Sequence, residues 1–448
     1  MEESLSTFDW RVQPEADRLV HELLEDFVEK SDFVRSFRQR LLSETGTRLI
    51  DWVDSIHLPA DSRLAMRLKE AGFEEEDGEG VYSHPGGLFP RVRCHSGDER
   101  QLFLKVESVA DFLSAQQREK AAIAGESLAS LRLAQVSDIE GAECWVIERH
   151  GDRGFEPPEI TENESLAVLH HSSQLHLRQR DFEDAHEGFE YARQLIAAAS
   201  KELPIDRVCD LFFAAERDYW QSRNRAARVQ KARQDALGLG WANHDHHTYR
   251  CGREFFRSLI EILEQLGFTC RERFYAGREA GWGAQVLEQP RAEITVFADV
   301  DLSPEEVAGD FAHEPLPRRD SLGTVGLWCR LHGEAFLEAG MHHLECQFDF
   351  DAAREQLDAD GVASMKPFTD FDFLRQSFTQ GEQWPVAESR IQSLLADGLI
   401  SEAEAATFRK EGALGSHLEV LERNEGFKGF NQTGINEIIL ATDPRHSK

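Results

Sequence analysis

No two cysteines in this chain are spaced C-x-x-C, which removes the commonest zinc-ribbon and redox motifs. The seven that are present (Cys94, Cys144, Cys209, Cys251, Cys270, Cys329, Cys346) are odd in number and widely scattered. That fits reduced thiols in a cytosol, not a disulfide framework. No apolar run approaches the roughly 18–20 residues that span a bilayer. The opening MEESLSTFDW has no basic stretch leading into an apolar one, so no signal peptide is expected. Basic residues are scarce: 50 Lys and Arg stand against 82 Asp and Glu, a formal net charge of −32. Neutralising phosphate needs clustered Lys and Arg, so nucleic acid is not an expected partner. An anionic membrane surface would repel the chain. No G-x-G-x-x-G or P-loop is present, and Gly281-Trp282-Gly283 is too short for a nucleotide loop. No repeat of solenoid period is visible. What these absences leave is a soluble, cytoplasmic, acidic protein that acts on something small.

At 448 residues the chain can build two or three domains with substantial cores. Leu19, Leu23, Leu24 and Phe27, then Phe33, Phe37 and Leu41, recur at helical spacing, which predicts a helical cap over 1–75. Residues 76–155 carry strand-like text in RVRCH, RQLFLKV and ECWVIERH, broken by turn signals at Pro85-Gly86-Gly87 and Ser96-Gly97-Asp98. They are expected to form a small α+β module. A charged helical segment follows over 156–237, and the composition shifts again at Gly238-Leu239-Gly240. The expected fold class is α+β, with a curved mixed sheet over 238–448.

That last region concentrates the chemistry. NHDHHTYRC reads as a strand, and GREFFRSLIEILEQLGF as an amphipathic helix stopped at Gly267. AGWGAQVLEQP and ITVFADVDL read as two further strands. Alternation along the first strand puts His244, His246, Thr248 and Arg250 on one face, and His247, Tyr249 and Cys251 on the other. In the later strand, His343, Glu345, Gln347 and Asp349 share a polar face, while His342 falls with the packing residues Leu344, Cys346 and Phe348. A third strand, HLEVLERNEGF, points Glu419 away from Leu418 and Val420. Imidazole is the commonest ligand of divalent transition metals. Two histidines and one carboxylate from separate strands suit non-haem iron(II), and three such ligands plus water would also suit zinc. His247 or His244 stands as the alternative to His246. Trp282 and Trp328 read as core or pocket wall.

The spaced motifs resemble those of the 2-oxoadipate dioxygenase/decarboxylase family, over about residues 239–443. His246 with Arg250 four residues later is similar to that family's first metal strand. LEQLGF, GWGAQVLEQP and ITVFADVDL follow in the family's order. His343 in AGMHHLECQFDFD matches the second metal histidine, and Leu374-Arg375-Gln376-Ser377 a segment after it. Glu419 with Arg423, and the ending GFKGFNQTGINEIILATD, complete the likeness. The first site has extra histidines, and His342 stands where asparagine is more usual. The resemblance implies a vicinal-oxygen-chelate-like sheet holding Fe(II), with Zn or Mn as other possibilities. It implies His246, His343 and Glu419 as metal ligands and Arg250 as anchor for a substrate carboxylate. Gln376 or Ser377 would hydrogen-bond the substrate, and Arg423 would belong to the catalytic residues.

The expected activity is therefore oxygen-dependent decarboxylation of a 2-oxo carboxylic acid. A non-redox lyase, isomerase or hydrolase of the same sheet type is the second class. A non-catalytic binding or scaffold protein with a vestigial site is the third.

Overall fold

The computed structural model describes residues 10–431, except 77 and 140, and residues 443–446. Most of the closing segment GFKGFNQTGINEIILATD, over 432–442, lies outside the described residues. Two eight-stranded mixed sheets dominate, each built from two strand–helix–strand–strand–strand units. The first sheet takes β1 (Val53–Pro59), β2 (Glu74–Glu76), β3 (Val81–Ser83) and β4 (Arg91–His95), then β5 (Gln101–Lys105), β6 (Ile123–Ala124), β7 (Leu131–Ser137) and β8 (Glu143–Arg149). The second takes β9 (His244–Arg250), β10 (Thr269–Tyr275), β11 (Trp282–Gln289) and β12 (Ile294–Asp301), then β13 (His343–Gln347), β14 (Thr369–Phe371) and β15 (Leu374–Phe378). A two-stranded excursion, β16 (Gln383–Trp384) with β17 (Ala413–Leu414), precedes its last strand, β18 (His417–Arg423). This is the expected α+β architecture, with a mixed sheet over 244–423.

Strand order explains where each face goes. The second sheet runs β10-β11-β12-β9-β13-β18-β15-β14, so three strands far apart in sequence, β9, β13 and β18, lie side by side at its centre. Ile294, Val296, Ala298 and Val300 of β12, Leu344 and Cys346 of β13, and Leu418 and Val420 of β18 point into one core. The helices over 162–236 and the helix Phe256–Gln265 cover that side. Gly267 ends this last helix with φ +88°, a left-handed turn that glycine adopts without penalty. The opposite, inner face is left to the polar residues.

Val53–Pro59 lies in the stretch expected to be helical, yet β1 is a central strand of the first sheet. Its burial on both faces, with a register shift between Val53 and Ser55, removes the alternation that would have marked it. The helices Pro14–Lys30 and Asp32–Arg40 pack Leu19, Leu23, Leu24, Phe27 and Phe37 against this sheet.

The first sheet has the order β2-β3-β4-β1-β5-β8-β7-β6, strand for strand that of the second. The likeness extends to single residues. Ser55 opposes Phe103 and Phe103 pairs Trp145, as His246 opposes Glu345 and Glu345 pairs Glu419. Both sheets carry a bulge at the same place, holding Asp54 in one and Asp245 in the other. Arg149 grips Asp54 through Nε and Nη2 at 2.6 and 2.9 Å, and Arg423 grips Asp245 through the same atoms at 2.9 and 3.0 Å. Each arginine also donates to two carbonyls of the chain that follows: Asp152 and Gly154, or Phe427 and Gly429. The sequence carries a trace of this repeat: VIER at 146–149 echoes VLER at 420–423, with Gly-Phe following each.

Burial pushes the Asp54 carboxyl up, but Arg149 outweighs it and holds the group well below the usual carboxylate range. A depressed carboxylate contributes stability that is complete above its unfolded pKa of about 3.9 and is lost as pH falls towards the folded value. We expect Arg149→Met to destabilise the protein by about 3–5 kcal/mol, the cost of stranding one partner of a buried pair. Chemical denaturation at pH 7 measures this loss, and the gap to wild type should shrink as the pH is lowered from about 4.

Candidate metal centre

The central strands bring the sequence-predicted ligands together. His246, His343 and Glu419 each offer one ligand atom, and these atoms lie within 4.8 Å of one another. Register produces the convergence. Glu345 sits between His246 and Glu419 in one row, and His343 sits one row along, opposite Thr248. His343 Nε2 stands 3.1 Å from a Glu419 oxygen. All three residues are buried.

The bulge re-aims the start of β9. Adjacent strand residues ordinarily face opposite sides, yet Asp245 Oδ1 lies 3.2 Å from His246 Nδ1, and Glu345 reaches the same nitrogen. His244, by contrast, pairs with Cys346 and packs beside His247 at 5.2 Å between rings. Simple alternation, which set His244 and His246 on one face, fails there. His247 belongs to the helical side, edge-on to Phe213 and 3.4 Å from Arg217. Neither alternative to His246 faces the centre.

The electrostatics are those of a site short of positive charge. Burial, with Arg250 nearby, lowers His343 to about 3, so its imidazole is neutral and keeps a lone pair to donate. Burial raises Glu419 to about 8, and burial together with Glu419 drives Glu345 well above the carboxylate range. Two carboxylates in one dry space cannot both ionise unaided. A divalent cation among two imidazoles and a carboxylate would relieve that conflict, and the donor set fits a first-row transition metal. Glu345 and Asp245 at His246 Nδ1 form the carboxylate–imidazole contact that orients such ligands. His342 Nδ1 stands 2.9 Å from His343 Nδ1 in the same sense. Because His342 precedes β13, strand alternation does not bind it, and its ring lines the cavity instead of the core.

A cavity of about 90 Å³ opens beside the cluster. Phe274, Phe297, Phe368, Phe378 and Phe430 wall it, and Trp282 joins them. Trp328 is wholly buried behind Arg250, its ring 5.7 Å from the guanidinium. Arg250 lines the cavity as expected. Gln376 does too, and its amide nitrogen donates to Glu345 at 3.0 Å and to Glu419 at 3.1 Å.

Two predicted residues are not brought in. Ser377 pairs directly with Val420 and so points to the core side, since neighbouring strand residues alternate. Arg423 shares Glu419's strand but spends its guanidinium on Asp245 and two carbonyls. Arg149 does the same in the first sheet, where Ser55, Gln101 and Trp145 stand at the places of His246, His343 and Glu419. The clamp therefore accompanies the fold and not the ligand set. Sequence reasoning missed Asp245, Glu345 and Asp299. Only the repeated VIER and VLER could have separated scaffold from site.

No family model matches the chain, and no curated protein matches it. Among solved structures, a mutant of 4-hydroxymandelate synthase from Streptomyces coelicolor is 13% identical over 89% of this chain and 99% of its own, with a TM-score of 0.31. Methylmalonyl-CoA epimerase from Mycobacterium tuberculosis is 14% identical over 41% of this chain and 88% of its own, with a TM-score of 0.24. A catechol 2,3-dioxygenase is 8% identical over 85% and 91%, with a TM-score of 0.20. At such scores these likenesses carry no weight beside the geometry.

Asp299 lies across from Arg250, and burial raises its carboxyl to about 8 despite that arginine. A carboxyl whose folded pKa is raised costs stability progressively as pH climbs from its unfolded value of about 3.9 to the folded one. Asp299→Asn should therefore melt with the wild type near pH 4 and increasingly above it as pH rises to about 8. Thermal denaturation across that range reads the effect.

Proposed function

We propose that this chain is a metal-dependent dioxygenase that decarboxylates a 2-oxo carboxylic acid, with His246, His343 and Glu419 holding Fe(II). The observation that carries the reading is the convergence of these three ligand atoms within 4.8 Å, in a cavity that also contains a buried arginine. Two imidazoles and one carboxylate on one side of an ion leave adjacent positions for the carboxylate and keto oxygens of a 2-oxo acid. The ion, when bound, supplies the oxygen-dependent redox chemistry. Zn or Mn fits the same donors.

The chain's own residues bind, orient and exclude water. Arg250 takes a substrate carboxylate through a guanidinium whose Nε and Nη1 have no hydrogen-bond partner among the described residues. Gln376 ties Glu419 to Glu345, fixing the ligand carboxylate, and leaves its own Oε1 unpaired. Asp245 and Glu345 fix the ring of His246. The phenylalanine walls keep water from the reacting atoms.

The buried carboxylate Glu345, beside His246 and Glu419, favours a second reading, in which an ion held by His246, His343 and Glu419 acts as a Lewis acid in a lyase, isomerase or hydrolase reaction. Oxygen decides between the two. Anaerobically reconstituted Fe(II) protein should consume dioxygen on addition of a 2-oxo acid, and turnover that persists without dioxygen would sink the first reading in favour of the second. We expect His246→Ala, His343→Ala and Glu419→Ala each to lower bound metal at least tenfold, measured by elemental analysis after equilibration with Fe(II). Unchanged occupancy in all three would refute the ligand assignment.

A further inference from the structure

Some polar groups in the cavity belong neither to the ligand cluster nor to any partner. Among the described residues, Arg250 Nε and Nη1, Asp299 Oδ1 and Thr248 Oγ1 are buried and make no hydrogen bond. Arg250 and Asp299 are directly paired across β9 and β12, are each 3% exposed, and both line the cavity. A guanidinium and a carboxyl left unmatched side by side in a dry space cost the fold stability. The fold does not require either: the first sheet has Pro59 and His95 at the same paired position. Like the ligand residues, they are present only where the cavity is.

Their chemistry is complementary. Arg250 can only donate, and so calls for an acceptor, best an anionic one. Asp299 keeps, whether or not it holds a proton, an oxygen that can only accept. A plain carboxylate has no donor to offer that oxygen. We infer that Arg250 and Asp299 together read the end of the substrate away from the metal, and that this end is a carboxylate with a hydrogen-bond-donating hydroxyl or ammonium group beside it. The inference rests on the proposed 2-oxo acid reading and narrows it from 2-oxo acids at large to hydroxy- or amino-bearing 2-oxo diacids. Asp299 is then the residue that selects against the unsubstituted diacid, because a site built to pair a substrate donor is left with an unmatched acceptor when the donor is missing.

Matched pairs of ligands test this on the metal-loaded protein. Under anaerobic conditions, with Mn(II) bound, calorimetry would compare 2-oxoglutarate with 4-hydroxy-2-oxoglutarate, and 2-oxoadipate with 5-hydroxy-2-oxoadipate. The wild type should bind the hydroxylated member of at least one pair tenfold or more tightly than its parent. Asp299→Leu, which keeps the bulk and removes the acceptor, should erase that preference while still binding the parent. Equal binding within both pairs by the wild type overturns the inference and leaves the 2-oxo acid reading intact. Failure of all four to bind overturns both. If the leucine variant does not fold, the wild-type comparison alone decides.

Discussion

The Asp245–Arg423 pair is the contact on which the site depends. Asp245 occupies the extra place of a bulge, and without an anchor a bulge is only a local loss of pairing. Arg423 supplies the anchor through two parallel hydrogen bonds, and it holds the following chain through the carbonyls of Phe427 and Gly429. One side chain thus sets both the ring of His246, from below, and the approach of Phe430, which packs edge-on to that ring at 5.3 Å. Burial alone would raise Asp245; Arg423 overcomes it and leaves the carboxyl far below its ordinary range. The pair stays charged, and the geometry stays fixed.

Around that anchor the inner face is divided by charge. Glu345 and Glu419 crowd one end; burial raises both carboxyls, and Glu419 raises Glu345 further. Arg250 and Thr248 stand further along β9, with Asp299 across from Arg250. Aromatic rings wall the cavity that both ends share. A cavity acidic at one end and donor-rich at the other has a direction. The acidic end suits a metal and the donor end an anion.

Much of this was legible in the sequence, and the failures have physical causes. The period-two pattern of β13 and β18 sorted His343 and Glu419 from their packing neighbours correctly, because those strands are regular and buried on one side by apolar residues. Alternation misassigned His244 because a bulge shifts the phase by one residue, and bulges leave no mark in composition. It could not speak for His342, which lies just outside a strand. The family resemblance drew Arg423 towards the chemistry through its place four residues after Glu419, but its guanidinium is spent on Asp245 and two carbonyls. Strands β4, β5 and β8 of the first sheet were legible, but its full extent was hidden because β1, buried on both faces, lacks alternation, and because β2, β3 and β6 are only two or three residues long.

The doubled architecture means that the molecule carries its own blank. In the first sheet the clamp, the bulge and the trailing phenylalanine survive, while Phe103, Leu133 and Trp145 occupy the inner face where the second sheet has Glu345, Gln376 and Glu419. One chain thereby folds the same scaffold twice, once around a hydrophobic filling and once around a polar chamber. The polar chamber is an insert on a framework that also closes around apolar side chains.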